Sequence, residues 1–418
     1  LGDVYKRQIN LMKIWKKKTH EEIKDIVFNA LEQNINYGEQ NVLGIPASYL
    51  DDKVFNQDDA FLKNAPYIST LIKNPNHIGC HTLGKSESFF SGTQAIEQEL
   101  IELCAVDILG GKLGQQDGYI ASGGTEANLQ AIWVYRNYFQ QKFNASLTEI
   151  CILCSVDSHY SMDKAGNVYV LDVQKVEVND ATRKITVGSV SEAIDSAKAK
   201  GKKYFIVVAN MMTTMYGSVD PIERYTDTLI DKNCEFMLHV DGAYGGFYFP
   251  FTDNKQSLTF KNKHITSFTL DAHKMAQAPY GTGIFLIRKG FISYVNTKEA
   301  SYVEGEDYTL IGSRSGANAV ATWMILQKNG PYGWQEKIFV LQKRTAWMCS
   351  ELKELNILYY RNPRSNIITI RSEFIQSETA QKFGLVPDNH ANPKWYKIVI
   401  MEHVTIEKLM PLVDALKK

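Results

Sequence analysis

The chain has 418 residues, 44% of them hydrophobic, enough to bury a large core and to build one large domain with a smaller partner. Lys plus Arg and Asp plus Glu both number 46, a formal net charge of +0, so no whole-chain basic field points to nucleic acid or an anionic membrane, and a small-molecule substrate is the default. No apolar run approaches the roughly 20 residues that span a bilayer, and no signal-peptide core opens the chain, which argues for a cytoplasmic protein.

Residues 1–11 precede the first methionine, Met12, and read as a non-native extension outside the fold. From Glu21 to Leu31 apolar residues recur at helical spacing, predicting an N-terminal helix. Between Pro46 and Gly92 the pattern is irregular. Pro75 and Gly79 make the stretch around His77 and His81 a loop, so these histidines do not form a helical metal pair. Thr93 to Leu109 returns to helical spacing through Ile96, Leu100, Leu103 and Ile108, with Thr93 as N-cap.

Gly118 to Ala121 reads as a strand running into Ser122-Gly123-Gly124-Thr125 and a helix. Strand, Gly-Gly turn and helix start place backbone N–H groups and the positive end of a helix dipole together, an anion site; alternatively the glycines serve only a left-handed turn. The spacing is that of neither a Walker loop nor a dinucleotide fingerprint. Ile150 to Ser155 is a short apolar strand leading to His159, and Cys151 and Cys154 within it read as core packing rather than zinc or redox ligands. Tyr204 to Asn210 has the composition of a buried strand, and Pro221 starts a helix through Ile230.

Phe236 to Val240 is another apolar strand, ending in Asp241 and the small-residue turn Gly242-Ala243-Tyr244-Gly245-Gly246. A buried carboxylate of this kind keeps a pyridine nitrogen protonated. Ser267 to Leu270 ends in Asp271-Ala272-His273-Lys274-Met275, with Lys274 lying 33 residues (274 − 241) after Asp241. A lysine amine at a strand end attacks carbonyls and is the group that anchors pyridoxal phosphate as a Schiff base. Helices and apolar strands alternate from residue 93 to about 287, the pattern of βα units around a mostly parallel sheet, with Ser122, Asp241 and Lys274 at the carboxyl edge where ligands bind. Helices over Ala317–Leu326 and Trp334–Leu355, strands over Ile367–Arg371 and Lys397–Met401, and a last helix over Thr405–Leu416 predict a small α+β domain.

Phosphate turn, acidic strand end and lysine strand end, in this order, resemble the group II pyridoxal-phosphate-dependent amino-acid decarboxylases of fold type I over residues 75 to 330. The most specific segments are His239-Val240-Asp241-Gly242-Ala243-Tyr244-Gly245-Gly246 and Asp271-Ala272-His273-Lys274-Met275. The lysine segment most resembles that of the archaeal-type tyrosine/aspartate decarboxylases. The interval from Tyr302 to Gly312-Ser313-Arg314-Ser315-Gly316 resembles the short bacterial histidine and plant serine decarboxylases. The resemblance implies an α/β fold with a mostly parallel seven-stranded sheet, flanking helices and a small C-terminal α+β domain. Its divisions are an N-terminal arm and substrate-lining segment at 12–92, a cofactor-binding large domain at 93–315 and a small domain at 316–418.

It implies pyridoxal 5'-phosphate as cofactor, held by Ser122, Gly123, Gly124, Thr125, His159, Thr214, Asp241, Ala243, His273, Lys274, Ser315 and Gly316. In that picture His159 stacks on the ring, Asp241 pairs with its nitrogen, Lys274 carries it and Tyr302 donates the proton. His77 and His81 line the substrate pocket, no metal is needed, and Ser315 and Gly316 share the site across a homodimer. One departure stands out: relatives usually carry glycine just before the paired threonines, where this chain has Met212. The implied reaction is decarboxylation of an L-amino acid to its amine and carbon dioxide. The alternatives are a carbon–carbon lyase or decarboxylative aldehyde synthase, and a non-catalytic binding protein of the same fold. Tyrosine, aspartate, histidine, serine and glutamate all remain open as substrates.

Overall fold

The structure, a computed structural model, describes residues 14–34, 36, 60–80, 83, 88–252, 257–297 and 305–417; residues 1–11, His81 and Tyr302 lie outside them. Seven strands form the large sheet: β1 Gln116–Ala121, β2 Ile150–Ser155, β3 Asp172–Val176, β4 Tyr204–Asn210, β5 Glu235–Gly242, β6 Ile265–Asp271 and β7 Gly283–Arg288. Their order is β1-β7-β6-β5-β4-β2-β3. The pairs β2–β3, β2–β4 and β4–β5 are parallel, whereas β7 runs antiparallel to both β1 and β6. This is the mixed, mostly parallel α/β sheet that the alternating pattern predicts. Strands of such a sheet are apolar throughout because helices cover both faces, and β1, β2 and β6 are buried at every position. Cys151 and Cys154 sit in β2 as buried free thiols, with their pKa pushed up by burial.

The described residues pack as two compact units, one from Leu1–Leu147 with Thr259–Tyr332, the other from Thr148–Leu258 with Gly333–Lys418. In the first, helix His20–Glu32 is opened by a Thr19–Glu22 capping box and buries Ile23, Val27 and Ala30. It lies so close to Gly92 that a Cβ there would come 1.9 Å from the Ala30 carbonyl oxygen. The helix expected from Thr93 to Leu109 begins earlier, at Ser91, and changes from α at Glu102 to a π turn over Leu103–Ile108. Thr93 is not its cap. Asn34 Oδ1 accepts the N–H groups of Gly92 (3.0 Å) and Thr93 (3.3 Å), so the cap comes from 58 residues upstream of Gly92.

In the second unit a four-stranded antiparallel sheet orders Tyr359–Tyr360, Ile367–Arg371, Trp395–Val399 and Val386–Pro387. Ile368, Ile370 and Ile398 on this sheet pack with Ile400, Met348, Leu352 and Leu412 into one apolar cluster. The long helical run Gly316–Glu354 is broken at Gly330 (φ 62°, ψ 172°) and Pro331, as two separate predicted helices require. Among the described residues no helix is long and apolar enough to cross a membrane.

Candidate active site

In the first unit β1 delivers Ser122, and the 20-residue helix Gly124–Phe143 begins at once, with Gly123 at the N-cap position and no side-chain cap. Glu126 holds the turn from within: Ser122 N–H donates to Glu126 Oε2 (2.6 Å), and Tyr119 O–H donates to Oε1 (3.0 Å). Gly123 brings no side chain to the helix start, and a Cβ built on it would meet nothing within 4 Å. On the other side the turn is pressed against β7, where a Cβ on Gly283 would fall 2.3 Å from the Gly123 carbonyl carbon.

Asp271, at the end of β6, ties this turn to the lysine. Its Oδ2 accepts the Gly124 N–H at 3.0 Å, and its Oδ1 lies 2.6 Å from His273 Nδ1. Burial pushes the Asp271 carboxyl up, against the opposing pull of Lys274 and His273. Lys274 N–H donates to the Asp271 carbonyl (3.2 Å), and the tight turn closes through Ala278 N–H to the Ala272 carbonyl (3.0 Å). Lys274 is half-buried. The His273 ring lies 5.0 Å from that of Tyr280, which is 86% exposed.

Below the turn a buried ionic network locks three segments. Glu97, 1% exposed, meets His77 Nδ1 through Oε2 (2.6 Å) and accepts from Arg314 (2.5 Å) and the Ile120 N–H (2.8 Å) through Oε1. Arg314 also donates to the carbonyls of Gly79 (2.8 Å) and Ile120 (3.1 Å). His77, expected to line the substrate pocket, has a fully buried ring, with its second nitrogen 2.8 Å from Thr93 Oγ1. Asn76–His77 pairs antiparallel with Arg314–Ser315, and Gly316 is required there because a Cβ would lie 2.6 Å from His77 Nε2. Ser315 is exposed.

In the second unit β4 and β5 place Asn210 opposite Asp241 and Val208 opposite His239. Asp241 is buried; its Oδ1 accepts the Ala243 N–H (3.0 Å) and its carbonyl accepts the Met211 N–H (2.9 Å). Burial holds His239 down at about 4, a neutral imidazole. Asn210 Nδ2 donates toward Ser155 (3.1 Å), Ser158 (2.9 Å) and Asp220 (2.7 Å), and burial pushes the Asp220 carboxyl up to about 7. His159 follows Ser158. Its Nδ1 lies 2.9 Å from Ser161 Oγ and 3.2 Å from the Ser161 backbone nitrogen, so Ser161 holds the ring. Thr214 is exposed and its carbonyl accepts from Lys397 (3.0 Å), whereas Thr213 turns inward to Ser218 (2.7 Å). Met212 adopts φ +67°, the conformation for which glycine is the usual residue.

Sequence reasoning singles out the turn, Asp241 and Lys274 but not the contacts around the turn. The bridging role of Asp271 and the Glu97–Arg314 pair span 147 and 217 residues, beyond any local pattern. Asp220 is visible in the sequence only as the residue before a helix-starting proline.

A family model described as the pyridoxal-dependent decarboxylase conserved domain matches residues 95–357. A tryptophan decarboxylase of Clostridium sporogenes is 50% identical over 410 residues, 97% of this chain and 98% of that protein. A probable L-tyrosine/L-aspartate decarboxylase of Methanosarcina barkeri is 27% identical over 391 residues, 89% of this chain and 96% of that one. In fold, an L-methionine decarboxylase from Streptomyces superposes with TM-score 0.68 at 19% identity, covering 82% of this chain and 86% of that one. A glutamate decarboxylase of Lactobacillus brevis gives 0.67 at 16%, covering 98% and 87%.

Proposed function

Because the chain belongs to the pyridoxal-dependent decarboxylase family, as a pyridoxal 5'-phosphate enzyme that decarboxylates an amino acid, we propose that its substrate is an aromatic L-amino acid, tryptophan foremost. The observation that carries this is the likeness to the Clostridium sporogenes enzyme along nearly the whole chain. The more distant relatives name tyrosine and aspartate together, so family membership alone does not choose.

The residues present suit the cofactor: a glycine at a helix start with open space beside it for a phosphate, a lysine amine just past a strand end, and a buried carboxylate for a ring nitrogen. When bound, pyridoxal phosphate supplies the electron sink for the pair left at Cα as carbon dioxide departs. We assign Lys274 to hold the cofactor through its amine and Ser122, Gly123, Gly124 and Thr125 to bind its phosphate. Asp241 keeps a proton on the ring nitrogen, the role for which a buried carboxylate is suited. His159 is assigned to the ring face, its Nδ1 held by Ser161. Thr214, Ala243 and His273 complete the cofactor contacts. Tyr302 is assigned to return the proton to Cα, by resemblance, since it lies outside the described residues. Exposed Ser315 and its neighbour Gly316 are assigned to a phosphate shared across a homodimer.

The test is release of amine and carbon dioxide from each of the standard amino acids, with the cofactor spectrum followed in parallel. Tryptophan yielding tryptamine and carbon dioxide in equal amounts, faster than any non-aromatic amino acid, is the expected result. Preference for aspartate, or for another non-aromatic substrate, would overturn the assignment.

A further inference from the structure

The first unit holds another concave site, at the opposite end of β1 from Ser122. A cavity of about 600 Å³ opens beside Gln116, the first residue of β1, and Arg288, the last of β7. That volume falls within the roughly 300–1,000 Å³ usual for small-molecule sites. Its described lining carries Lys112, Lys261, Lys263, Arg288 and Lys289 and no carboxylate, a local charge of +5 on a chain whose formal charges cancel. Such concentration of one sign in a concavity focuses the field and draws an anion.

Two features distinguish this cavity from an ordinary basic surface. Arg288 is fixed in its wall: its guanidinium donates to the carbonyls of Ile265 (2.7 Å), Phe260 (2.8 Å) and Asn262 (2.8 Å) and lies 5.4 Å over the Phe260 ring. Gln116 is only 3% exposed, yet its Oε1 has no hydrogen-bond partner. That oxygen lies against Gly111, also in the lining, where an added Cβ would come within 2.6 Å of it. Buried amides are almost always bonded, so an orphaned one at a charged cavity points to a ligand with a donor to offer. Four of the five cations are lysines, point charges suited to phosphate oxygens. The single guanidinium, whose fork would favour a planar carboxylate, is already committed to backbone carbonyls.

We propose that this cavity binds a small phosphate-bearing polyanion, its phosphates on Lys261, Lys263 and Lys289 and a hydroxyl or amino group of its organic part donating to Gln116. The site is separate from the cofactor's phosphate turn.

The experiment is calorimetric titration of the holoenzyme, saturated with pyridoxal phosphate so that the turn at Ser122 is filled. Sodium tripolyphosphate and ATP are the probes, with sodium sulfate at matched ionic strength as control. Both probes are expected to bind at least about tenfold more tightly than sulfate. Lys261→Glu with Lys263→Glu should weaken both by roughly 100-fold, two charge-assisted contacts at about tenfold each, with decarboxylation rate and melting temperature unchanged. Should that pair destabilise the protein, exposed Lys112→Glu alone should still weaken both probes by about tenfold. Gln116→Met should weaken ATP several-fold and leave tripolyphosphate unchanged. Binding of neither probe, equal binding of sulfate, or affinities that the lysine reversals leave intact would each overturn the proposal; loss of both probes alike in Gln116→Met would overturn the contact assigned to Gln116.

Discussion

Glu97→Gln is the substitution whose outcome the structure specifies most closely. The carboxylate is buried and is shared by Arg314 at 2.5 Å, His77 at 2.6 Å and the Ile120 N–H at 2.8 Å. Glutamine keeps the volume and one acceptor oxygen, so no cavity forms; what is lost is the charge facing a buried guanidinium. Removing one partner of a buried pair costs about 3–5 kcal/mol. The retained amide oxygen offsets about 1 kcal/mol by keeping one bond, leaving about 2–4 kcal/mol. At about 2–4 °C per kcal/mol for a unit of this size, the apparent Tm should fall by roughly 4–16 °C. The assay is thermal unfolding at one scan rate and one cofactor concentration, because ligand and rate both move Tm. Adding Arg314→Met removes the stranded charge and should recover at least about 1 kcal/mol of that loss, the signature of coupling in a double-mutant cycle. A drop smaller than about 2 °C, or a double variant that falls by the sum of its singles, would refute the argument.

Met212→Gly relieves a left-handed residue by about 1–2 kcal/mol but empties a buried side-chain site at about 2–5 kcal/mol, so the variant should melt lower, and a rise in Tm would show that strain dominates. Asp220 has its pKa raised to about 7 from 3.8, so its contribution to stability is complete below pH 3.8 and is lost as pH rises through 7. Asp220→Asn should therefore be more stable relative to wild type at pH 8 than at pH 5, measured as Tm against pH. His239 has the opposite sign: lowered to about 4 from 6.5, it supports the fold above pH 6.5 and withdraws that support as pH falls towards 4, a slope that His239→Gln should flatten. Asp241→Ala should abolish most decarboxylase activity while leaving the circular-dichroism spectrum unchanged; activity within about tenfold of wild type would reject the role assigned to it.

What is legible in the sequence and what is not divide by range. Lys274 and Asp241 stand out because each sets a charge at or just past the end of an apolar strand where no packing reason demands one, and Ser122-Gly123-Gly124 because glycines between a strand and a helix need a local cause. The alternation that predicts the parallel sheet is likewise local, as is the break at Gly330 and Pro331. The hidden parts are long-range. No pattern near Thr93 reveals that Asn34 caps its helix, so local reasoning assigns the cap to the nearest hydroxyl. A histidine in a polar segment reads as available to substrate, and only the fold shows Glu97 meeting it from the facing helix. Met212 is noticeable as a departure, but its backbone conformation becomes visible only in the structure.

The pairing of β1 with β7 also governs when the enzyme becomes one. β1 is the edge of the large sheet among the described residues, and Ala121 pairs with Gly283, 162 residues later (283 − 121). At synthesis rates of about 5–20 residues per second, that partner emerges roughly 8–32 s after the strand it must join. For that interval the nascent chain carries the Ser122-Gly123-Gly124 turn without the strand that backs it. Cofactor loading is therefore a late event in the life of each molecule, and truncated chains that end before Gly283 should emerge from the ribosome unable to take up pyridoxal phosphate.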